Sequence, residues 1–211
     1  VQYDAISYSG MTAANEKCFG KRYIPTYHFD KADVIVSVGA DFLSTWLNTA
    51  EYTANYASRR KPENGKMSRH FQFESRMSMA GSNADVRKQI KPSEEAKVIL
   101  SLHDQIAKKS GGTSVGGGSD MDTLTEAAVN ELLAAKGKSL VVAGSNSVDA
   151  QVLVNSINEM LGNYGNTVDI DVHTRYKQGD DKAVAELVND MAAGKVDAVL
   201  IYGANPAYTM P

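Results

Sequence analysis

Two turns in this sequence have the composition of a phosphate cradle. Gly39-Ala40-Asp41 closes the stretch KADVIVSVGADFL at 31–43, and Gly203-Ala204-Asn205 closes KVDAVLIYGANPA at 195–207, with Lys, Asp, Gly and Ala repeated in register. Small residues let a ligand approach the backbone, and free N–H groups after a strand suit an anion. A glycine that merely ends a strand gives the same letters, and the local sequence leaves both readings open.

Other patterns carry less. GTSVG at 112–116 matches a hydrolase nucleophile elbow in letters, but that chemistry needs a strand before Ser114 and a helix after it, and KKSG and GGSD stand there instead. GKS at 137–139 resembles the end of a P-loop, yet Leu132 occupies the position of its first glycine and a strand follows where a helix is required. His28, His70, His103 and His173 show no paired ligand spacing. Asp169 and Asp171 share one strand face, the arrangement of a cation site or, more simply, of a solvated edge. The basic stretch SRRKPENGKMSRH at 58–70 lacks interleaved aromatic platforms and reads as a solvated helix end, so no nucleic-acid partner is expected.

The elements that must position these turns alternate between helix and short β-branched runs. Strands are expected at 33–38, 69–74, 139–144, 167–172 and 196–203, with an extended piece at 85–90. Helices are expected over 44–60, 94–107 (capped by Ser93, with apolar face Ala96, Ile99, Leu100, His103 and Ile106), 148–161 and 181–193. Another begins at a Thr123/Glu126 capping box and ends before Gly137. The Gly/Ser-rich run 108–120 reads as a flexible linker. The expectation is an α/β chain of two Rossmann-like three-layer units with mainly parallel sheets, 1–107 and 121–211, joined by that linker. Ligands of such sheets lie beyond the carboxyl ends of the strands, where both glycine turns fall.

Composition sets the outer bounds. With 211 residues and 43% hydrophobic content a packed core is available, and a net charge of -3 exerts no general pull toward polyanions. The single cysteine, Cys18, excludes an internal disulfide framework and a four-thiolate site made by this chain alone. No apolar run is long enough to span a bilayer. A first residue Val1 and a last residue Pro211 directly after a strand and turn suggest a piece of a longer protein.

Several elements in order resemble the molybdopterin oxidoreductase family, the dimethyl sulfoxide reductase superfamily. They are ADVIVSVGAD, ESRMSMA at 74–80, IKPSEEAK at 90–97 and VDAVLIYGANPAYTMP. YDAISYSGMTAANE and GADFLSTW are most similar to one branch, the large iron–sulfur subunit of alternative complex III. The resemblance implies that Gly39, Ala40, Asp41, Glu74, Arg76, Ser93, Glu95, Gly203, Ala204 and Asn205 surround any molybdopterin guanine dinucleotide that is bound, and that Ser7 lies near the position of a molybdenum ligand. It also implies iron–sulfur clusters elsewhere in the parent chain, partner subunits of a membrane-bound respiratory complex, and the periplasmic face of the bacterial inner membrane. Against the pattern of active relatives, Ser93-Glu94-Glu95 stands where Gly-Thr-Asp is usual and Asp41-Phe42 where Asn-Pro is usual. Both changes place carboxylates beside a phosphate position. The resemblance therefore implies a cofactor-free scaffold in a quinol-oxidising complex, with part of an active molybdenum oxidoreductase as the alternative.

Overall fold

The structure is a computed structural model and describes residues 1–174 and 176–210; Arg175 and Pro211, the last residue of the expected second unit, lie outside it. Its centre is a parallel sheet in the order β4-β3-β2-β5, formed by β2 (Val34–Val38), β3 (Arg69–Glu74), β4 (Val86–Gln89) and β5 (Ser139–Ala143). All five residues of β2 and all five of β5 are buried. That is why VIVSV and SLVVA are nearly continuous apolar runs: both faces of the sheet are covered.

Side-chain parity sorts the strands into two cores. Val34, Val36, Val38, Phe71, Phe73, Val141 and Ala143 face α4 (Glu95–Ser110), α5 (Asp122–Ala134) and α6 (Val148–Met160). Ile35, Leu140 and Val142 face the other way, into an aromatic cluster of Phe29, Phe42, Trp46, Tyr52 and Tyr56. Tyr52 and Tyr56 come from α2 (Thr49–Ser58), and α1 (Ser9–Phe19) contributes Met11 to the same layer. The three-layer α/β architecture with a mainly parallel sheet is as expected. The sheet draws strands from both sides of segment 108–120, since β5 pairs with β2 in register from Val34↔Ser139 to Val38↔Ala143.

The outer edge of β5 is closed by a side chain. Asn158 of α6 accepts from the Val141 amide at 3.1 Å and donates to the Val141 carbonyl at 2.8 Å. One carboxamide thus stands in for a neighbouring strand and satisfies both groups of a buried residue.

Several local expectations are corrected. The helix expected over 44–60 starts only at Thr49, because the Asp41 carbonyl first gathers the amides of Ser44, Thr45 and Trp46. Asp122 opens α5, so Thr123 and Glu126 form no capping box there. Ser93 does not cap α4; it is exposed in a 3-10 turn, Pro92–Glu94, where the Glu94 carboxylate accepts from the Lys91 amide at 2.8 Å. Ala96 of α4 is exposed and Leu100 half-buried, because the helix is enclosed by α5, α6 and the sheet and buries Val98, Leu102 and Asp104 as well. The Gly/Ser run is fastened rather than free: Asp104 accepts from the amides of Val115 at 2.8 Å and Gly116 at 2.6 Å. A side chain at Gly118 would stand 2.5 Å from the Ser101 nitrogen.

The last part of the chain departs most. The run 167–172 does form a strand, β6 (Val168–Thr174), but it pairs antiparallel with β1 (Ile24–Tyr27) outside the main sheet. After α7 (Asp181–Ala192) no strand forms at 196–203. Leu200 and Tyr202 are each 96% exposed, because no neighbouring strand lies alongside them. A one-turn helix, α8 (Pro206–Thr209), follows.

Candidate functional site

The carboxyl ends of β2 and β3 open into a cleft of about 190 Å³ lined by Gly39, Asp41, Thr45, Glu74, Ser75, Arg76, Ser78 and Glu95. Each side chain is placed by an identifiable constraint. Gly39 continues the ladder through its amide to the Phe73 carbonyl at 2.8 Å, then turns at φ 66°, a left-handed conformation that glycine adopts without strain. Ala40 is fully buried behind it, its carbonyl held by the Ser37 hydroxyl at 2.9 Å. Asp41 uses its backbone carbonyl to start the following turn and its side chain to accept from the Ala80 amide at 3.0 Å.

Glu74 ends a buried polar row on one face of β3. The Tyr56 hydroxyl lies 3.2 Å from His70 Nδ1, His70 Nε2 lies 3.1 Å from Gln72 Oε1, and Gln72 donates to Glu74 at 3.3 Å. Arg87 of β4 pairs with the Glu74 carboxylate at 2.6 Å, and the Ser78 hydroxyl donates to it at 2.6 Å. Burial alone would push the Glu74 pKa up; the hydrogen bonds from Ser78 and Arg87 outweigh it and hold the group below the usual carboxylate value. Ser78 also caps α3 (Met79–Ser82), accepting from Gly81, whose missing side chain makes room for Glu74: a Cβ there would lie 1.9 Å from Glu74 Oε1.

Glu95 reaches the cleft from the first turn of α4. A Cβ added to Gly39 would lie 3.0 Å from Glu95 Oε1 and 3.2 Å from Oε2, so this carboxylate already occupies the approach to the glycine. Burial pushes its pKa up. Among the described residues it has neither hydrogen-bond nor ion-pair partner. Arg76 lines the same cleft, exposed and free of any ion pair among the described residues.

The structure thus brings Gly39, Asp41, Glu74, Arg76 and Glu95 together, with Ala40 beneath them, and leaves Ser93 outside. Gly203 and Ala204 line a different cleft of about 380 Å³ with Val184, Leu187, Val188 and Met191 of α7, and the Asn205 carbonyl starts α8. Ser7 borders a third cleft of about 220 Å³, where its hydroxyl accepts from the Ser9 amide at 3.0 Å ahead of α1. Thr45, Ser75, Ser78 and Arg87 complete the first site and were not singled out in the sequence.

The charges around the Gly39 turn oppose a guanine dinucleotide phosphate there. Arg87 is committed to Glu74, Glu95 lies against the glycine, and Asp41 adds another carboxylate. A carboxylate about 5 Å from a phosphate opposes binding by roughly 3 kcal/mol at an effective dielectric near 20. Among the described residues no cluster of three or more His, Cys, Asp or Glu side chains is arranged to hold a metal ion.

The remaining candidates are structural. Asp169 accepts from the Asp171 and Val172 amides at 2.9 and 3.0 Å, and Asp171 pairs with Lys21. In the basic stretch, Arg59 and Lys66 both pair with Asp33, and Arg60 pairs with Asp85 at 2.8 Å. Around Ser114 the backbone is held by Asp104, which accepts from the Val115 and Gly116 amides.

No protein-family model matches the chain, and no curated protein matches it in sequence. Among solved structures it is similar to acetylene hydratase from Pelobacter acetylenicus, over 75% of this chain, with 9% sequence identity and a TM-score of 0.47. The match covers 24% of that enzyme's chain, so the sequence spans about a quarter of its length.

Proposed function

We propose that this chain is part of a molybdopterin-oxidoreductase-like large subunit that keeps the nucleotide-binding-like fold as a scaffold and holds no pterin guanine dinucleotide at the Gly39 turn. Its setting is a membrane-bound, quinol-oxidising respiratory complex at the periplasmic face of the bacterial inner membrane. In it other parts of the parent chain carry the iron–sulfur clusters. The observation that carries the scaffold reading is the carboxylate of Glu95 against Gly39, with Asp41 beside it, in the place a phosphate requires. The separation of Gly39 and Gly203 into different clefts adds support, since a shared cofactor needs both turns at one site. The ordered motifs ADVIVSVGAD, ESRMSMA and IKPSEEAK supply the family part of the proposal.

Elemental analysis and fluorescence of released pterin, on the full-length parent purified in its complex, test this reading. Iron without molybdenum, tungsten or pterin is the expected result. Molybdenum or tungsten with pterin near one equivalent overturns it and makes Ser7 and the Gly39 cleft the places to mutate.

A further inference from the structure

We propose that Glu95 is an internal occupant of the Gly39 turn, a carboxylate that fills the anion position of this cleft and thereby decides which ligands it rejects. The inference rests on the scaffold reading for its location, but it concerns one side chain and has its own test. Three features support it. Gly39 has a left-handed φ of 66° and presents a bare α-carbon to the cleft, and the Glu95 carboxyl group lies 3.0–3.2 Å from where a Cβ would be. Glu95 makes no hydrogen bond or ion pair among the described residues, so its placement serves no evident internal pairing. It stands in the first turn of the sixteen-residue α4, where the positive end of the helix dipole acts against the burial that pushes its pKa up.

The rest of the cleft is not uniformly acidic. Glu74 is neutralised by Arg87, while Arg76 is unpaired and the hydroxyl-bearing residues Thr45, Ser75 and Ser78 line the same walls. Taking away the Glu95 charge leaves Arg76 and Asp41 in the same cleft and opens the approach to Gly39. The ligand class excluded by Glu95, and admitted without it, is a phosphate or diphosphate group.

The test uses inorganic pyrophosphate as probe, with binding followed by calorimetry and by phosphorus NMR on this chain at neutral pH. Glu95→Gln keeps the shape and removes the charge; Glu95→Ala removes both, and circular dichroism checks that each variant is folded. The wild-type chain is expected to show no saturable binding at low millimolar pyrophosphate, and the variants a gain of about a hundredfold, the factor set by one carboxylate near one phosphate charge. Binding by Glu95→Ala alone also supports the proposal, with volume rather than charge excluding the anion. Equal binding by wild type and variants, or no binding by either folded variant, overturns it. So does a gain that survives Arg76→Gln in the Glu95→Gln background, because the anion then sits elsewhere. Molybdenum in the parent protein would sink the scaffold reading without altering these outcomes, so the two can fail separately.

Discussion

Lowering the pH from 7 to about 4.5 is expected to cost this fold roughly 2.5 kcal/mol through His70 alone. The imidazole is fully buried between Tyr56 and Gln72, and its ring packs against Phe42. Burial pushes its pKa down to about 4; the Gln72 hydrogen bond and the charges of Asp85 and Glu74 act upward, and Arg60 acts downward. In the unfolded chain a histidine titrates near 6.5, so the unfolded state takes up the proton first. The stabilisation is complete above about pH 6.5 and is lost as pH falls toward 4, by about 1.4 kcal/mol per unit. Glu74, Asp85 and Asp33 are held below their usual values, so their losses begin only near and below about pH 4. Glu95, shifted upward, works in the opposite sense and is common to wild type and variant. Urea denaturation read from the buried Trp46, the single tryptophan, is a suitable assay. With a slope of about 2–3 kcal/mol/M, the wild-type midpoint should fall by about 1 M between pH 7 and 4.5. His70→Gln and His70→Asn should fall much less. Parallel shifts in wild type and both variants would refute the reasoning, because the lost stability would then come from other groups.

Arg87→Ala strands the Glu74 carboxylate in a buried position and is expected to destabilise by about 3–5 kcal/mol in thermal or urea unfolding. Pairing it with Glu74→Gln should recover a large part, and a double variant as unstable as Arg87→Ala would contradict the charge argument. Asn158→Leu leaves the Val141 amide and carbonyl unpaired at the edge of β5 and should cost about 2–4 kcal/mol, read by the same melts. Hydrogen exchange should find the amides of Val199–Tyr202, which make no backbone hydrogen bond, exchanging near the unprotected rate while Ile35–Val38 exchange slowly. Comparable protection in the two segments would show that the second copy of the repeat is paired after all.

The parallel strands were legible because burial on both faces writes itself as VIVSV and SLVVA. Helix ends marked by Gly162 and Gly194 were legible for a similar reason, since each glycine adopts positive φ just past its helix. By contrast, α1 left little trace, because the positions it buries include Ser9, Gly10, Thr12 and Asn15, which carry no apolar period. The partner of β6 was also hidden: an alternating run specifies a strand, but pairing with Ile24–Tyr27 is a tertiary fact. The site follows the same division. Gly39, Asp41, Glu74, Arg76 and Glu95 could be grouped from strand ends and from the family resemblance. Arg87, which sets the charge of Glu74, sits mid-strand with no local signal pointing to its partner.

The repeated stretch separates what local sequence controls from what the sheet controls. Gly39 and Gly203 adopt nearly the same left-handed turn, φ 66° and 68°, so the Gly-Ala signal specifies the turn in both copies. The preceding residues do not share a fate. Val34–Val38 are buried between β3 and β5, whereas Val199 to Tyr202 are all at least 47% exposed. Fully burying a Val, Leu or Ile side chain contributes about 1.5–3 kcal/mol, and ladder hydrogen bonds form only when a neighbour is present. High β-propensity therefore produces a strand at the first copy and a run without strand pairing at the second. The same contrast separates the two turns: of the pair, only Gly39 ends a strand locked in register between neighbours, and there Glu95 lies against the glycine.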